Sequence, residues 1–147
     1  MKGQLIHQVL GKLGLHLPLV RFLIVGVANT LVGIGTMYAA MYFLGFDIVY
    51  ANILGYAIGT IQSFLLNKSW TFGSSDRAVS SFIRFLLVLA VAYGANLVTV
   101  IVANTTFGVN PYVAQALGIF PYTSIGFLGS RYFAFRNQRR AVLGPPR

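Results

Sequence analysis

The chain has no cysteine and no glutamate, and its only acids are Asp47 and Asp76. Without cysteine there is no disulfide, no thiolate metal site and no thiol chemistry. Acid is nearly absent from a chain that is 56% apolar. A soluble protein of this length needs many charges to cover its surface, so the scarcity of charge points to a membrane protein. No Asp, Glu, His, Lys or Arg falls deep in any apolar run. That excludes a proton relay or a carboxylate-coupled antiport, both of which place an ionisable group inside the membrane. Small multidrug antiporters, which also have four short spans but need such a carboxylate, are set aside on the same ground. No glycine-rich loop leads into Lys and Ser or Thr, so nothing suggests nucleotide hydrolysis. No nucleophile, acid–base pair or metal cluster is recognisable. His7 and His16 have no neighbours to complete a metal site. An enzyme is therefore not expected, nor a cofactor.

The charge that is present is basic, with eleven Lys and Arg. Such a balance suggests nucleic acid first. Here, however, the cations sit at the ends of apolar runs, where they set topology and contact anionic lipid. Residues 1–20 place Leu5, Ile6, Val9, Leu10 and Leu13 opposite Gln4, His7, Gln8, Gly11 and Lys12. This pattern predicts a short amphipathic helix on the membrane surface, ended by Pro18. It does not resemble a cleaved signal peptide. Uncharged runs then predict spans at about 22–46, 48–67, 84–106 and 112–130. Gly45-Phe46-Asp47 links the first pair, a Ser-rich loop follows the second span, and Gly108-Val109-Asn110-Pro111 turns the last pair. Pro121 predicts a kink in the fourth span. Residues 138–147 read as a disordered basic tail. Every Lys and Arg falls at one end of these spans, which predicts a cytoplasmic membrane protein with both termini in the cytoplasm.

The central stretch runs from Asn52 to Phe72. Asn52, Gly55, Tyr56, Gly59, Gln62 and Ser63 share one side of a helical wheel. Ile53, Leu54, Ala57, Ile58, Ile61, Phe64 and Leu65 share the other, expected to face lipid. The end of this stretch recurs. A slide by the distance from Arg21 to Arg84 superposes Arg-Phe-Leu on Arg-Phe-Leu, Ala51 on Ala114, Gly55 on Gly118, Phe64-Leu65 on Phe127-Leu128, Lys68 on Arg131 and Phe72 on Phe135. The expected architecture is therefore all-α, with four transmembrane helices arranged as two parallel two-helix repeats. Gly59 becomes Tyr122, Asn67 becomes Ser130 and Trp70 becomes Phe133. The halves share a frame and differ in lining.

Candidate binding chemistry is polar and uncharged inside, cationic at the rim. Asn29, Thr30, Gln62, Ser63 and Asn67 lie toward the cytoplasmic side, with Asn52, Asn96 and Gln115 further across. Amides and hydroxyls of this kind can replace water around sugar hydroxyls. Arg21, Lys68, Arg84 and Arg131 stand at the rim, where they can hold a phosphate, with Trp70 and Tyr132 as interface aromatics. Each residue also has a plainer reading: amides join helices, and rim cations mark topology.

These residues carry a resemblance. Arg21-Phe22 with Gly26 and Asn29, Asn52 to Gly59, and above all Phe64-Leu65-Leu66-Asn67-Lys68-Ser69-Trp70-Thr71-Phe72 resemble the GtrA-like family of small four-span bacterial membrane proteins. Arg84-Phe85 and Arg131-Tyr132-Phe133-Ala134-Phe135 fit as well. The resemblance covers roughly residues 20–137. It implies translocation of a polyprenyl-phosphate-linked sugar across the cytoplasmic membrane for cell-envelope polysaccharide, beside a membrane glycosyltransferase that makes the lipid-linked sugar. The alternative is a non-transporting scaffold that anchors or recruits that glycosyltransferase. Four short helices enclose little volume, so a homodimer is an expectation from size.

Overall fold

The structure is a computed structural model that describes residues 2–137, with side chains from Leu17 onward. It contains four α-helices and no strand among the described residues. The all-α expectation holds. The tail from residue 138 and the side-chain pattern of the first sixteen residues lie outside the described set. The chain divides into two compact units between Gly73 and Ser74.

In the first unit, helix α1 runs from Lys2 to Leu44 and α2 from Ile48 to Leu66. The helix expected to end at Pro18 does not end there. Pro18 lies inside α1, and the amphipathic segment and the first span are one continuous helix. Proline removes one backbone bond and crowds the preceding turn. The bonds on both sides continue the helix past it, as they do for prolines in membrane helices. Gly45 then takes φ 65°, a conformation that costs glycine nothing. The Phe46 amide donates to the Ala40 carbonyl at 3.2 Å and closes the turn. Asp47 caps α2 by accepting from the Val49 and Tyr50 amides at 2.8 and 3.1 Å. At its other end α2 widens into a π-helical turn, Asn67–Thr71. Phe72 closes it by donating its amide to Asn67 O at 2.9 Å.

The second unit uses the same devices. Helix α3 spans Ala78–Thr105 and α4 spans Pro111–Gly129. Helix α3 starts before the Arg84 expected from the charge pattern, with the Ser80 hydroxyl donating to the Arg77 carbonyl at 3.1 Å. Gly108 has φ 63°, Val109 donates to Ala103 O at 3.0 Å, and Asn110 caps α4 through the Tyr112 amide at 2.9 Å. A π turn, Ser130–Ala134, follows α4 and closes with Phe135 N donating to Ser130 O at 2.9 Å. Gly45 and Gly108, Asp47 and Asn110, and the two π turns are each separated by the Arg21-to-Arg84 interval.

Each unit packs one helix against the other through small residues. Val25, Ala40, Ala51 and Phe64 are buried in the first, and Phe85, Val88, Ala92, Ala103, Ala114 and Phe127 in the second. A Cβ on Gly55 would stand 2.7 Å from the Gly33 carbonyl oxygen, so glycine is what permits this approach. Phe64, assigned to lipid from the helical wheel, is 5% exposed. The buried stripe of α2 is Ala51, Gly55, Gly59 and Ser63. A four-residue spacing drifts around a 3.6-residue helix, which turns Phe64 inward.

Large apolar side chains cover the outside. Three stretches, Leu17–Leu44, Ile48–Thr71 and Ala78–Thr105, are long and apolar enough to cross a membrane, and at most 28% of any of them is buried. Helix α4 has 19 residues and no charge, and its prolines, tyrosines and Gln115 make it less apolar.

Candidate functional site

The first hairpin holds an open groove of about 370 Å³ between α1 and α2. Its polar lining is Asn29, Thr30, Asn52, Tyr56 and Thr60, with Gly33 and Gly55 at its floor. Gly55 lets the helices approach here, with the Gly33 carbonyl and the Met37 side chain in the place its Cβ would take. Three of the anticipated polar residues therefore meet here. The Thr30 hydroxyl donates to the Gly26 carbonyl at 3.1 Å and Asn52 Nδ2 to the Ile48 carbonyl at 2.7 Å. The side-chain Oδ1 of Asn29 fills the space left by the missing side chain of Gly59.

The other anticipated residues go elsewhere. Ser63 and Asn67 pair with each other, with Asn67 Nδ2 donating to Ser63 Oγ at 3.2 Å, and Asn67 is 1% exposed. Gln62 faces a separate, apolar groove with Ile58, Ile61, Leu65 and Leu66. The side-chain oxygens of Gln62, Asn67 and Thr71 are buried without a hydrogen-bond partner. Such groups are uncommon, and π turns recur at functional positions. Asn96 packs its amide nitrogen on Gly118 in the second hairpin, and Gln115 lies exposed on α4.

At the end of each hairpin an arginine from the first helix fastens the π turn of the second. Arg21 donates to the Trp70 carbonyl at 3.1 Å, and its guanidinium lies 5.4 Å from the Trp70 ring centre. Phe22 and Phe72 pack beside it, their rings 6.4 Å apart. Arg84 donates to the Ala134 carbonyl from Nε and NH2 at 3.3 and 3.1 Å, with Phe85 on Phe135 at 5.8 Å. The two arginines differ in charge balance. Arg84 forms an ion pair with Asp76 at 3.0 Å. Asp76 also accepts from the Arg136 and Asn137 amides and from Asn137 Nδ2, which ties the chain after the π turn to the loop before α3. The position corresponding to Asp76 in the first half is Leu13. Arg131 lies 5.6 Å from the Tyr132 ring centre. Lys68 occupies the first π turn, partly exposed.

Sequence reasoning set Tyr56 on the polar side of α2 without naming it as a site residue, and missed Thr60 as a groove residue and Asp76 as the tie of the second hairpin. Only the pairing of Gly33 with Gly55 across two helices reveals the groove. The rarity of acid was a usable signal for Asp76.

The apolar spans, the small-residue packing and the uncharged groove define a small all-helical membrane protein built of two hairpins. The chain belongs to the family described as "GtrA/DPMS, transmembrane domain", whose model matches residues 21–135. That match starts at Arg21, inside α1, and ends at Phe135, which closes the second π turn. The chain is also similar to the "Uncharacterized membrane protein YngA" of Bacillus subtilis (strain 168), 26% identical over 123 residues, covering 83% of this chain and 82% of that protein.

Proposed function

We propose that the protein carries a polyprenyl-phosphate-linked sugar between the leaflets of the bacterial cytoplasmic membrane, for cell-envelope polysaccharide synthesis. Membership of the GtrA/DPMS family supports the class of activity. The observation that carries the reading is the groove between α1 and α2, polar yet free of any ionisable carboxylate or amine, in a hairpin whose entrance bears Arg21. Uncharged amides and hydroxyls substitute for water on sugar hydroxyls, and rim cations hold a phosphate. The apolar helix faces suit the polyprenyl chain. Arg21 and Lys68 are the proposed phosphate ligands of the first hairpin and Arg131 that of the second, while Arg84, paired with Asp76, braces the second hairpin.

In this reading α4 completes a fourth span. The recurring caps, glycine turns and π turns support two repeats that each enter and leave the membrane on the basic, cytoplasmic side. The lipid-linked sugar comes from a membrane glycosyltransferase, and transport runs downhill as the sugar is consumed outside. Anionic lipids contact the basic rim, and a homodimer enlarges the enclosed volume.

A second reading, a scaffold that recruits the glycosyltransferase, draws on the extension of α1 to Lys2, beyond the residue at which the family match begins. One experiment separates them. Purified protein in liposomes is given a radiolabelled polyprenyl-phosphate sugar, and its arrival on the opposite leaflet is timed. Acceleration over empty liposomes, lost when Lys68 and Arg131 are replaced by Gln, supports the carrier. No acceleration by folded protein refutes it and favours the scaffold.

A further inference from the structure

We infer that the outward face of α1 is the surface on which a second copy of this chain docks, as a parallel helix pair that begins before Leu17 and continues through the apolar span. The inference is independent of the carrier and scaffold readings.

Two lines of bulky residues mark the face. With the chain written in sevens, one column reads Leu10, Leu17, Ile24, Leu31 and Tyr38. The column three residues on reads Ile6, Leu13, Val20, Val27, Ile34 and Met41. These are the a and d positions of a heptad repeat, unbroken from Ile6 to Met41. Each of the other columns is interrupted in that stretch by glycine, proline or a polar residue. The structure leaves this seam open. Against α2, helix α1 buries Val25, Gly33 and Ala40. Every seam residue from Leu17 to Met41 is exposed, and Val27, Leu31 and Tyr38 are 63 to 67% exposed. Ile34 also borders the groove.

Lipid alone does not account for the seam. A helix facing acyl chains needs apolar residues but no period. A strict seven-residue repeat drifts about 20° per heptad around a straight helix, and stays in line only against a helix with which it coils. The seam also outruns the membrane. Leu17–Leu44 has 28 residues. That is about 42 Å by helix rise, against a hydrocarbon core of about 30 Å. Leu13, Leu10 and Ile6 lie a further 6 to 16 Å or so beyond Leu17, roughly, on the same continuous helix. An unpaired seam there meets water, and covering it with another apolar face is favourable.

A second copy is the occupant that fits. Copies inserted in the same sense run parallel, so each a and d residue meets its own counterpart in register. The corresponding helix of the second hairpin carries no such seam. The Arg21-to-Arg84 interval is a whole number of heptads, so the same columns continue in α3, where Ser80, Ala90, Gly94 and Asn104 break them. Beside the seam of α1, Ala28 and Gly35 are small, and a Cβ on Gly35 would meet nothing within 4 Å, which lets two backbones draw close. Among the described residues the charged flank of the seam is Arg21, and it is fastened to Trp70 of its own hairpin.

The chain has no cysteine, so a single introduced one reports the contact directly. The test uses the full chain in liposomes at high lipid excess, oxidised with copper phenanthroline, with the disulfide-linked dimer read on a non-reducing gel. Leu13→Cys and Val20→Cys, on the seam, should cross-link about fivefold or more above Gln8→Cys and Leu15→Cys on the opposite face, because a disulfide needs Cα atoms within about 7 Å. Stepwise photobleaching of labelled chain in the same liposomes then counts copies. Wild type should associate, Leu13→Lys should lower the associated fraction about fivefold or more by placing a charge in the seam, and Gln8→Lys should leave it unchanged. Melting temperatures check that each variant folds. Cross-linking confined to the seam, with association lost in Leu13→Lys, supports the inference. Equal cross-linking from both faces, single copies in the wild type, or a folded Leu13→Lys protein that associates like wild type overturns it.

Discussion

Replacement of Asp76 by Ala should loosen the second hairpin more than any other single change in its loops. Four hydrogen bonds end on this carboxylate, from Arg84, the Arg136 and Asn137 amides, and Asn137 Nδ2, at 2.7 to 3.4 Å. Its side chain is 9% exposed and that of Arg84 is 23% exposed. Stranding the partner of a buried ion pair costs about 3–5 kcal/mol. Exposure of Arg84 and its retained bonds to the Ala134 carbonyl reduce that, to about 2–3 kcal/mol. For a chain of this length each kcal/mol moves the melting temperature by about 3–5 °C, so Asp76→Ala should melt about 6–15 °C lower in detergent. The double variant Asp76→Ala with Arg84→Met should be less unstable than the sum of the singles by about 1–2 kcal/mol, because the second change removes the stranded charge. A melting temperature within about 2 °C of wild type, or strictly additive single effects, would show that the ion pair is incidental and that the reasoning is wrong.

The packing and the turns carry further stability predictions. Gly55→Ala should destabilise by about 1–3 kcal/mol through the clash with the Gly33 carbonyl. Gly26→Ala, with nothing within 4 Å of the new carbon, should be neutral or stabilising by up to about 1 kcal/mol. The same melting assay checks both, and equal effects would show that the close approach at Gly55 is not what matters. Asp47→Ala and Asn110→Ala should each cost about 1 kcal/mol by removing a helix cap. Gly45→Ala should cost about 1–2 kcal/mol at φ 65°, and reversible unfolding in detergent with added denaturant measures each.

Much of the fold was legible because lipid and backbone geometry leave few choices. Uncharged runs and the links Gly45-Phe46-Asp47 and Gly108-Val109-Asn110 announce themselves by residue type, while the caps made by Asp47 and Asn110 emerge only in the fold. The family was legible from the stretch around Asn67 to Phe72. The site was legible only in part. Asn29, Thr30 and Asn52 stood out as polar residues in apolar surroundings, yet their meeting in one groove depends on two glycines from different helices. A helical wheel advances by a constant angle, and the π turns break that constancy. Asn67 and Thr71 therefore end up buried in a way no wheel reproduces. Pro18 misled for the opposite reason. A strong local breaker was overridden by the bonds on either side of it. Arg84 and Arg21 are indistinguishable in sequence, and only the fold of the Ser74–Arg77 loop assigns one of them a carboxylate.

The three-residue links at Gly45–Asp47 and Gly108–Asn110 also have a mechanical meaning. Each is clamped at both ends, by an amide bonded back across the turn and by a side chain that seals the next helix. Such a link has no slack, so neither helix of a hairpin can slide along its mate like a piston. The freedom it leaves is rotation about the turn, like a pair of tweezers held at the bend. A splaying of α1 from α2 would therefore be widest at the Arg21 and Trp70 end, far from the link at Gly45. The hydrogen bond between those two residues, the guanidinium over the Trp70 ring and the Phe22–Phe72 pair together are the catch that sets how readily the tips part.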